Sequence, residues 1–208
     1  MSFSTFFSEQ ARKPNGLFGR LVMSAIFNIG NAKLNELVSE IVSVQENDHV
    51  LEMGFGTGKL INRLAGQFEQ GLVEGVDFSR TMVSIAEKRN RTHIARGKVR
   101  ILQGDFDEIP LKKECYDKVC SVNTIYFWQK PDYTASKVVE ILKPKGKFVV
   151  GFEDSEQLKQ RKLEDNIFHL YSNTEVKELL MNAGFSNGVE IISRKFGSSV
   201  INCVVAIK

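Results

Sequence analysis

The sequence predicts an α/β fold, a doubly wound, mostly parallel seven-stranded sheet whose last strand is antiparallel. Three observations predict it. Strand and helix patterns alternate from Glu36 onward, as parallel βαβ units require. The strands read as near-continuous apolar runs, which suits a sheet covered on both faces. The first of them runs into Gly54, Gly56 and Gly58, a glycine turn that opens a helix and leaves free N–H groups facing outward.

The elements follow in order. Leu34, Leu37, Val38, Ile41 and Val42 form a helical stripe. Strand one is expected over Val50–Met53, followed by a helix over Lys59–Phe68 that stops near Gly71. Strand two covers Leu72–Val76, and a helix capped by Ser79 covers Thr81–Asn90. Val99–Gln103 and Lys118–Val122 read as strands three and four. A helix over Tyr133–Leu142 ends at Pro144 and Gly146, and Lys147–Phe152 is strand five. Thr174–Ala183 is a helix stopped by Gly184. Val189–Arg194 and Val200–Ile207 have no helix between them, so the turn at Gly197-Ser198-Ser199 makes an antiparallel hairpin.

Composition narrows the classes. With 208 residues and 42% apolar content, the chain is long enough for one well-cored domain, read here as residues 36–208 behind an N-terminal helical extension or lid over 1–35. Its three cysteines are odd in number and lack metal or redox spacing, which points to a reducing cytoplasm and no metal site. No segment approaches the ~20 apolar residues of a membrane span. Residues 1–35 carry the whole net charge of +3, so the body shows no nucleic-acid footprint.

In open α/β sheets ligands bind beyond the carboxyl ends of the strands. The candidates sit at such ends. Gly54, Gly56 and Gly58 end strand one, and Asp77 ends strand two, 19 residues after Gly58. A carboxylate there can accept both hydroxyls of a ribose. Asp105 and Phe106 end strand three, a carboxylate and an aromatic face suited to adenine. Asn123 ends strand four, and Tyr126 follows it. Each has a plainer reading: a tight turn for the glycines, a helix cap for Asp77, a turn for Asp105, core for Ile125–Trp128. Three successive strand ends carrying Gly-x-Gly-x-Gly, an acid and a second acid favour the functional one.

This pattern resembles the class I S-adenosylmethionine-dependent methyltransferases. The matching segments are Leu51-Glu52-Met53-Gly54-Phe55-Gly56-Thr57-Gly58, Asp77-Phe78-Ser79-Arg80-Thr81-Met82, Gly104-Asp105-Phe106, Tyr116-Asp117 and the stretch Leu142–Lys147. The resemblance implies S-adenosylmethionine as cofactor and the demethylated homocysteine form as product. It implies that Glu52 faces the methionine end, with Gly54 and Gly56 allowing close approach. Asp77 would hold the ribose, Phe78 and Met82 would flank the adenine, and Asp105 would take its amine beside Phe106. Asn123 would approach the methionine portion.

The implied reaction is direct displacement on a small-molecule acceptor, lipid-like at the outer edge of the range. Tyr126 is the candidate for contacting that acceptor and for any catalytic part; His169 is a second substrate candidate, in a region where this fold builds a substrate cover. Phe18, Leu21, Val22, Ala25, Ile26 and Ile29 repeat at helical spacing in the extension. A helix packed on the domain is favoured over one lying on a membrane surface, although Arg12, Lys13 and Arg20 would suit the latter. Two rivals remain: a non-catalytic binder of the same fold, and a nicotinamide-dependent oxidoreductase. The oxidoreductase needs Gly-x-Gly-x-x-Gly, and here Lys59 stands where its third glycine belongs.

Overall fold

A computed structural model describes residues 10, 12–14, 16, 28–159, 168–197 and 199–208. Phe18, Leu21, Val22, Ala25 and Ile26 of the apolar stripe, and Arg20, lie outside the described residues; Ile29 is described and is 79% exposed. The elements are α1 (Ala32–Val42), β1 (His49–Met53), α2 (Lys59–Ala65), β2 (Leu72–Asp77), α3 (Arg80–Ala95), β3 (Val99–Gln103) and β4 (Tyr116–Val122). A single 3₁₀ turn (Ile125–Phe127) leads to α4 (Pro131–Ile141), β5 (Leu142–Phe152), α5 (Ser155–Lys159), α6 (Asn173–Ala183), β6 (Val189–Phe196) and β7 (Ser199–Ile207).

The seven strands form one sheet in the order β3-β2-β1-β4-β5-β7-β6. β1 to β5 are parallel, and β7 runs antiparallel to both β5 and β6. Alternation along each strand divides the core in two. Val50 and Val149 join Leu37, Val38, Ile61, Leu64 and Ala86 from α1, α2 and α3. Leu51, Met53, Phe148 and Val150 join Val138 and Ile141 of α4 and Val176 and Leu180 of α6 on the opposite face. β1 lies between β2 and β4, so the strand order reverses there, and the crevice of a doubly wound fold opens at its carboxyl end.

Local chemistry sets the helix ends. Pro131 occupies the first turn of α4, where its missing N–H costs nothing. Ser172 and Glu175 form a reciprocal capping box on α6, and Gly184 at φ 111° ends that helix.

The structure departs from the sequence expectation in several places. It adds α5, and α3 runs on to Ala95 rather than ending at Asn90. β5 begins at Leu142 rather than Lys147: Leu142 pairs with Tyr116, then the register shifts so that Lys147 pairs with Lys118. The irregularity absorbs Pro144 and places Lys145 at φ 65°. Lys208 closes the bulge, since its carbonyl accepts the Lys145 N–H and its own N–H bonds Gly146. α2 stops at Ala65 rather than Phe68, although Phe68 stays buried just beyond its end. α1 begins at Ala32, and Leu34 and Leu37 are both in the core.

Candidate active site

The glycine loop between β1 and α2 is built from residues in the left-handed region. Gly54, Gly56 and Gly58 have φ of 64°, 53° and 69°, a conformation that side chains make costly. Space is tight as well. A Cβ on Gly54 would stand 2.5 Å from Thr124 Cγ2, and one on Gly58 would stand 2.7 Å from Ala86 Cβ and 2.8 Å from Asn90 Nδ2. The loop therefore packs down on α3 and on the turn after β4.

Asp77 at the end of β2 ties this loop in place. Its Oδ2 accepts the Gly56 N–H at 2.9 Å and its Oδ1 accepts the Ser79 N–H at 2.8 Å. Each oxygen keeps a further lone pair for a ligand hydroxyl. Burial pushes the Asp77 carboxyl up to about 6, against the pull of the two N–H bonds. Glu52, on β1, is 2% exposed; the Ile61 N–H bonds its carboxyl, while Oε2 has no partner. Burial, reinforced by the nearby Asp77 charge, drives Glu52 well above the usual carboxyl range. An orphaned buried carboxyl oxygen beside this loop fits a ligand with a cationic, polar end.

The other sequence candidates fall as follows. Phe78 is half-buried, with Lys13 Nζ 5.4 Å from its ring centroid. Met82 is buried on the first turn of α3. Asp105 is exposed, and its Oδ1 accepts the Asp107 N–H at 3.0 Å. Phe106 is half-buried, with Lys137 Nζ 5.2 Å from its ring centroid. Asn123 adopts φ 53°, and its Nδ2 donates to Asn31 Oδ1 at 2.9 Å. Tyr126 is only 4% exposed: its hydroxyl lies 3.1 Å from Asn123 Oδ1 and 3.0 Å from the Glu153 carbonyl, and accepts the Glu153 N–H at 2.7 Å. The Tyr126 hydroxyl thus bonds Asn123 and the residue that follows β5. His169 is exposed, and its backbone N–H donates to the Tyr126 carbonyl at 3.0 Å.

A second group was not anticipated. Asn28 Oδ1 accepts from Thr57 Oγ1 at 2.8 Å and from Arg89 Nη1 at 3.0 Å, and the Asn28 carbonyl accepts from Lys59 Nζ at 3.1 Å. Arg89 also donates to the Thr57 carbonyl at 2.9 Å. Ser79 Oγ donates to the Pro14 carbonyl at 2.6 Å while accepting the Met82 N–H. Together with the Asn31–Asn123 bond, these contacts hold Pro14, Asn28 and Asn31 against residues that follow β1, β2 and β4. The one sequence signal is a pair of asparagines, Asn28 and Asn31, set beside the apolar stripe. Ser79→Ala removes both the α3 cap and the Pro14 tether. It should cost about 0.5–2 kcal/mol in a denaturant melt.

Comparison with known proteins agrees with this geometry. A family model described as a methyltransferase domain matches residues 50–146, from β1 into β5. The chain is 28% identical, over 65% of its length and 73% of the relative's, to a Bacillus subtilis protein named uncharacterized methyltransferase YdaC. Its fold matches a chain of the complex between the Haloferax volcanii Trm112 methyltransferase activator and a methyltransferase, with a TM-score of 0.77 at 21% identity over 91% of this chain and 96% of that one. It also matches Haemonchus contortus phosphoethanolamine N-methyltransferase 2, solved with S-adenosylmethionine, with a TM-score of 0.76 at 18% identity over 100% of this chain and 60% of that one. The sheet order, the glycine loop and the matched domain agree: residues 50–146 match a methyltransferase domain, and the chain is similar in fold to S-adenosylmethionine-dependent methyltransferases.

Proposed function

We propose that this chain is a methyltransferase acting on a small-molecule acceptor that reaches the cofactor past Pro14, Asn28 and Asn31. The observation that carries this reading is the set of tethers from Pro14, Asn28 and Asn31 to Ser79, Thr57 and Asn123. Bonds from Pro14, Asn28 and Asn31 beside the strand ends support an approach too narrow for a macromolecular acceptor. The phosphoethanolamine named in the Haemonchus neighbour is a small-molecule acceptor of this kind.

S-adenosylmethionine supplies a sulfonium methyl open to direct displacement. The chain's residues bind and align. Gly54, Gly56 and Gly58 leave backbone free to lie against the cofactor. Asp77 accepts from the ribose hydroxyls. Asp105 and Phe106 meet the adenine amine and face, with Phe78 and Met82 flanking it. Glu52 offers its unpartnered oxygen to the methionine end. Asn123, fixed by Tyr126 and Asn31, borders the methionine portion. Tyr126 is a positioning residue here, and His169 stands at the acceptor side.

The test is methyl transfer from labelled S-adenosylmethionine to a panel of small amines, phenols, carboxylic acids and thiols, set beside RNA and protein acceptors. Turnover confined to macromolecules would overturn the reading. The exposed Ile29 and the basic Arg12 and Lys13 raise a membrane-bound acceptor as the alternative. No helix among the described residues is long and apolar enough to cross a membrane. A few basic residues give limited surface affinity, so flotation with anionic vesicles should leave most of the protein unbound. Strong binding, lost on deleting residues 1–30, would instead favour a lipid acceptor.

A further inference from the structure

At the opposite end of the sheet, three chemistry-bearing side chains far apart in sequence meet in a line. Cys115, just before β4, has its Sγ 3.4 Å from Nδ1 of His49, the first residue of β1. His49 Nε2 lies 2.7 Å from Glu74 Oε2 on β2. Glu74 is buried and fully engaged: Tyr116 donates to Oε2 at 2.8 Å, and Arg100 Nε approaches Oε1 at 2.9 Å. Burial pushes the Glu74 carboxyl up, but the hydrogen bonds from His49 and Tyr116 outweigh it and hold the group below its usual range. Glu74 is therefore a carboxylate at neutral pH, and an acceptor only. That fixes the histidine tautomer. In the neutral ring Nε2 carries the proton that Glu74 accepts, and Nδ1 is then a lone-pair acceptor facing the thiol. The ring is held further by its contact with Tyr116, at 4.5 Å between centroids, and by the His49 N–H bond to Asp117 Oδ2 at 2.9 Å.

A thiol, a base in the right tautomer and a carboxylate that orients it is the arrangement of an activated nucleophile. We propose that Cys115 is a nucleophilic thiol, served by His49 and Glu74, and that this second site takes small disulfides. In the exchange, His49 Nδ1 accepts the Cys115 proton as Sγ attacks one sulfur of the disulfide. The new Sγ–S bond forms, the old S–S bond breaks, and the leaving thiolate recovers the proton from the imidazolium. One thiol and one disulfide give one mixed disulfide and one thiol, so electrons and protons balance. The cofactor cradle takes no part in it: Cys115, His49 and Tyr116 stand at the amino ends of β4 and β1, the cradle at the carboxyl ends.

The other two cysteines make the test clean, because Cys120 and Cys203 are fully buried and Cys115 is half-buried. Full-length native protein is treated with dithiobis(nitrobenzoate) at neutral pH. One thiolate per chain should be released in a fast phase, and peptide mass spectrometry should place the label on Cys115. Its rate should exceed that of the same chain unfolded in urea by about tenfold or more, despite partial burial. His49→Phe keeps a ring against Tyr116 but removes the base; it should slow the native reaction by about a hundredfold while the melting temperature and S-adenosylmethionine affinity stay near wild type. If that variant does not fold, Glu74→Gln provides a second one, and the native-to-unfolded comparison stands by itself. A native Cys115 that reacts no faster than the unfolded thiol overturns the proposal. So does a folded His49→Phe protein with an unchanged rate, or a fast label on Cys120 or Cys203.

Discussion

Asp77→Ala should weaken S-adenosylmethionine binding by about ten- to a hundredfold, measured by calorimetry. Two losses combine. The ribose hydroxyls lose their charged acceptor, and the N–H groups of Gly56 and Ser79 lose the carboxylate that sets the loop. Asp77→Asn should also bind weakly, because its amide NH₂ must oppose one of those two N–H donors. The pH dependence has a definite sign. Burial raises Asp77 to about 6 in the free protein. A raised carboxyl stabilises the fold most below its unfolded value, and that contribution is lost as the pH rises through about 6. A ligand that needs the carboxylate works the other way, so affinity should tighten as the pH rises through the same range. A folded Asp77→Ala protein with an unchanged dissociation constant would remove Asp77 from the ribose role.

Gly58→Val should be the most damaging single change at the site. Its φ of 69° is strained for any side chain and worst for a branched one, and the new Cβ would stand 2.7 Å from Ala86 Cβ. Backbone strain of about 1–3 kcal/mol adds to overpacking of similar size, about 2–6 kcal/mol together. At about 2–4 °C per kcal/mol for a chain of this size, melting should fall by roughly 5–20 °C. Gly97→Ala is the matched control: it has φ 72° but meets nothing within 4 Å, so it should lose only the backbone share. Calorimetric melts of the two variants decide the matter. If Gly58→Val melts like Gly97→Ala, the close packing of the loop on α3 is wrong.

Much of this architecture was legible because it rests on local signals. Periodicity, glycine stops and the Ser79 cap placed all seven strands and the longer helices, though not α5. The strand-end rule then put Gly54, Asp77 and Asp105 on one rim. The errors also have local causes. Pro144 and Gly146 read as a loop because breakers usually end an element, yet a bulge closed by Lys208 carries β5 through them. Phe68 read as helix because it is apolar at helical spacing, and it is buried from a turn instead.

What stayed hidden depends on long-range geometry. Periodicity assigns Tyr126 to a short apolar run but does not say which way a 3₁₀ turn aims its hydroxyl, and here it aims at Asn123 and Glu153. The tether from Asn31 to Asn123 joins residues 92 apart, and the cluster of Cys115, His49 and Glu74 joins β1, β2 and the residue before β4. Neither leaves a spacing in the sequence, because each exists only once the sheet has brought its strands side by side.

The most direct test of the central claim is ligand-dependent melting of the intact protein. A ligand at about 100 times its dissociation constant stabilises the native state by about 2.7 kcal/mol. Saturating S-adenosylmethionine, or its demethylated product, should therefore raise the melting temperature by roughly 5–10 °C. NAD and NADP at the same concentration should leave it unchanged, since the third glycine comes one residue too early for a dinucleotide fingerprint. A shift with NAD and none with S-adenosylmethionine would contradict the assignment of the cradle at Gly54–Gly58 and Asp77 to this cofactor.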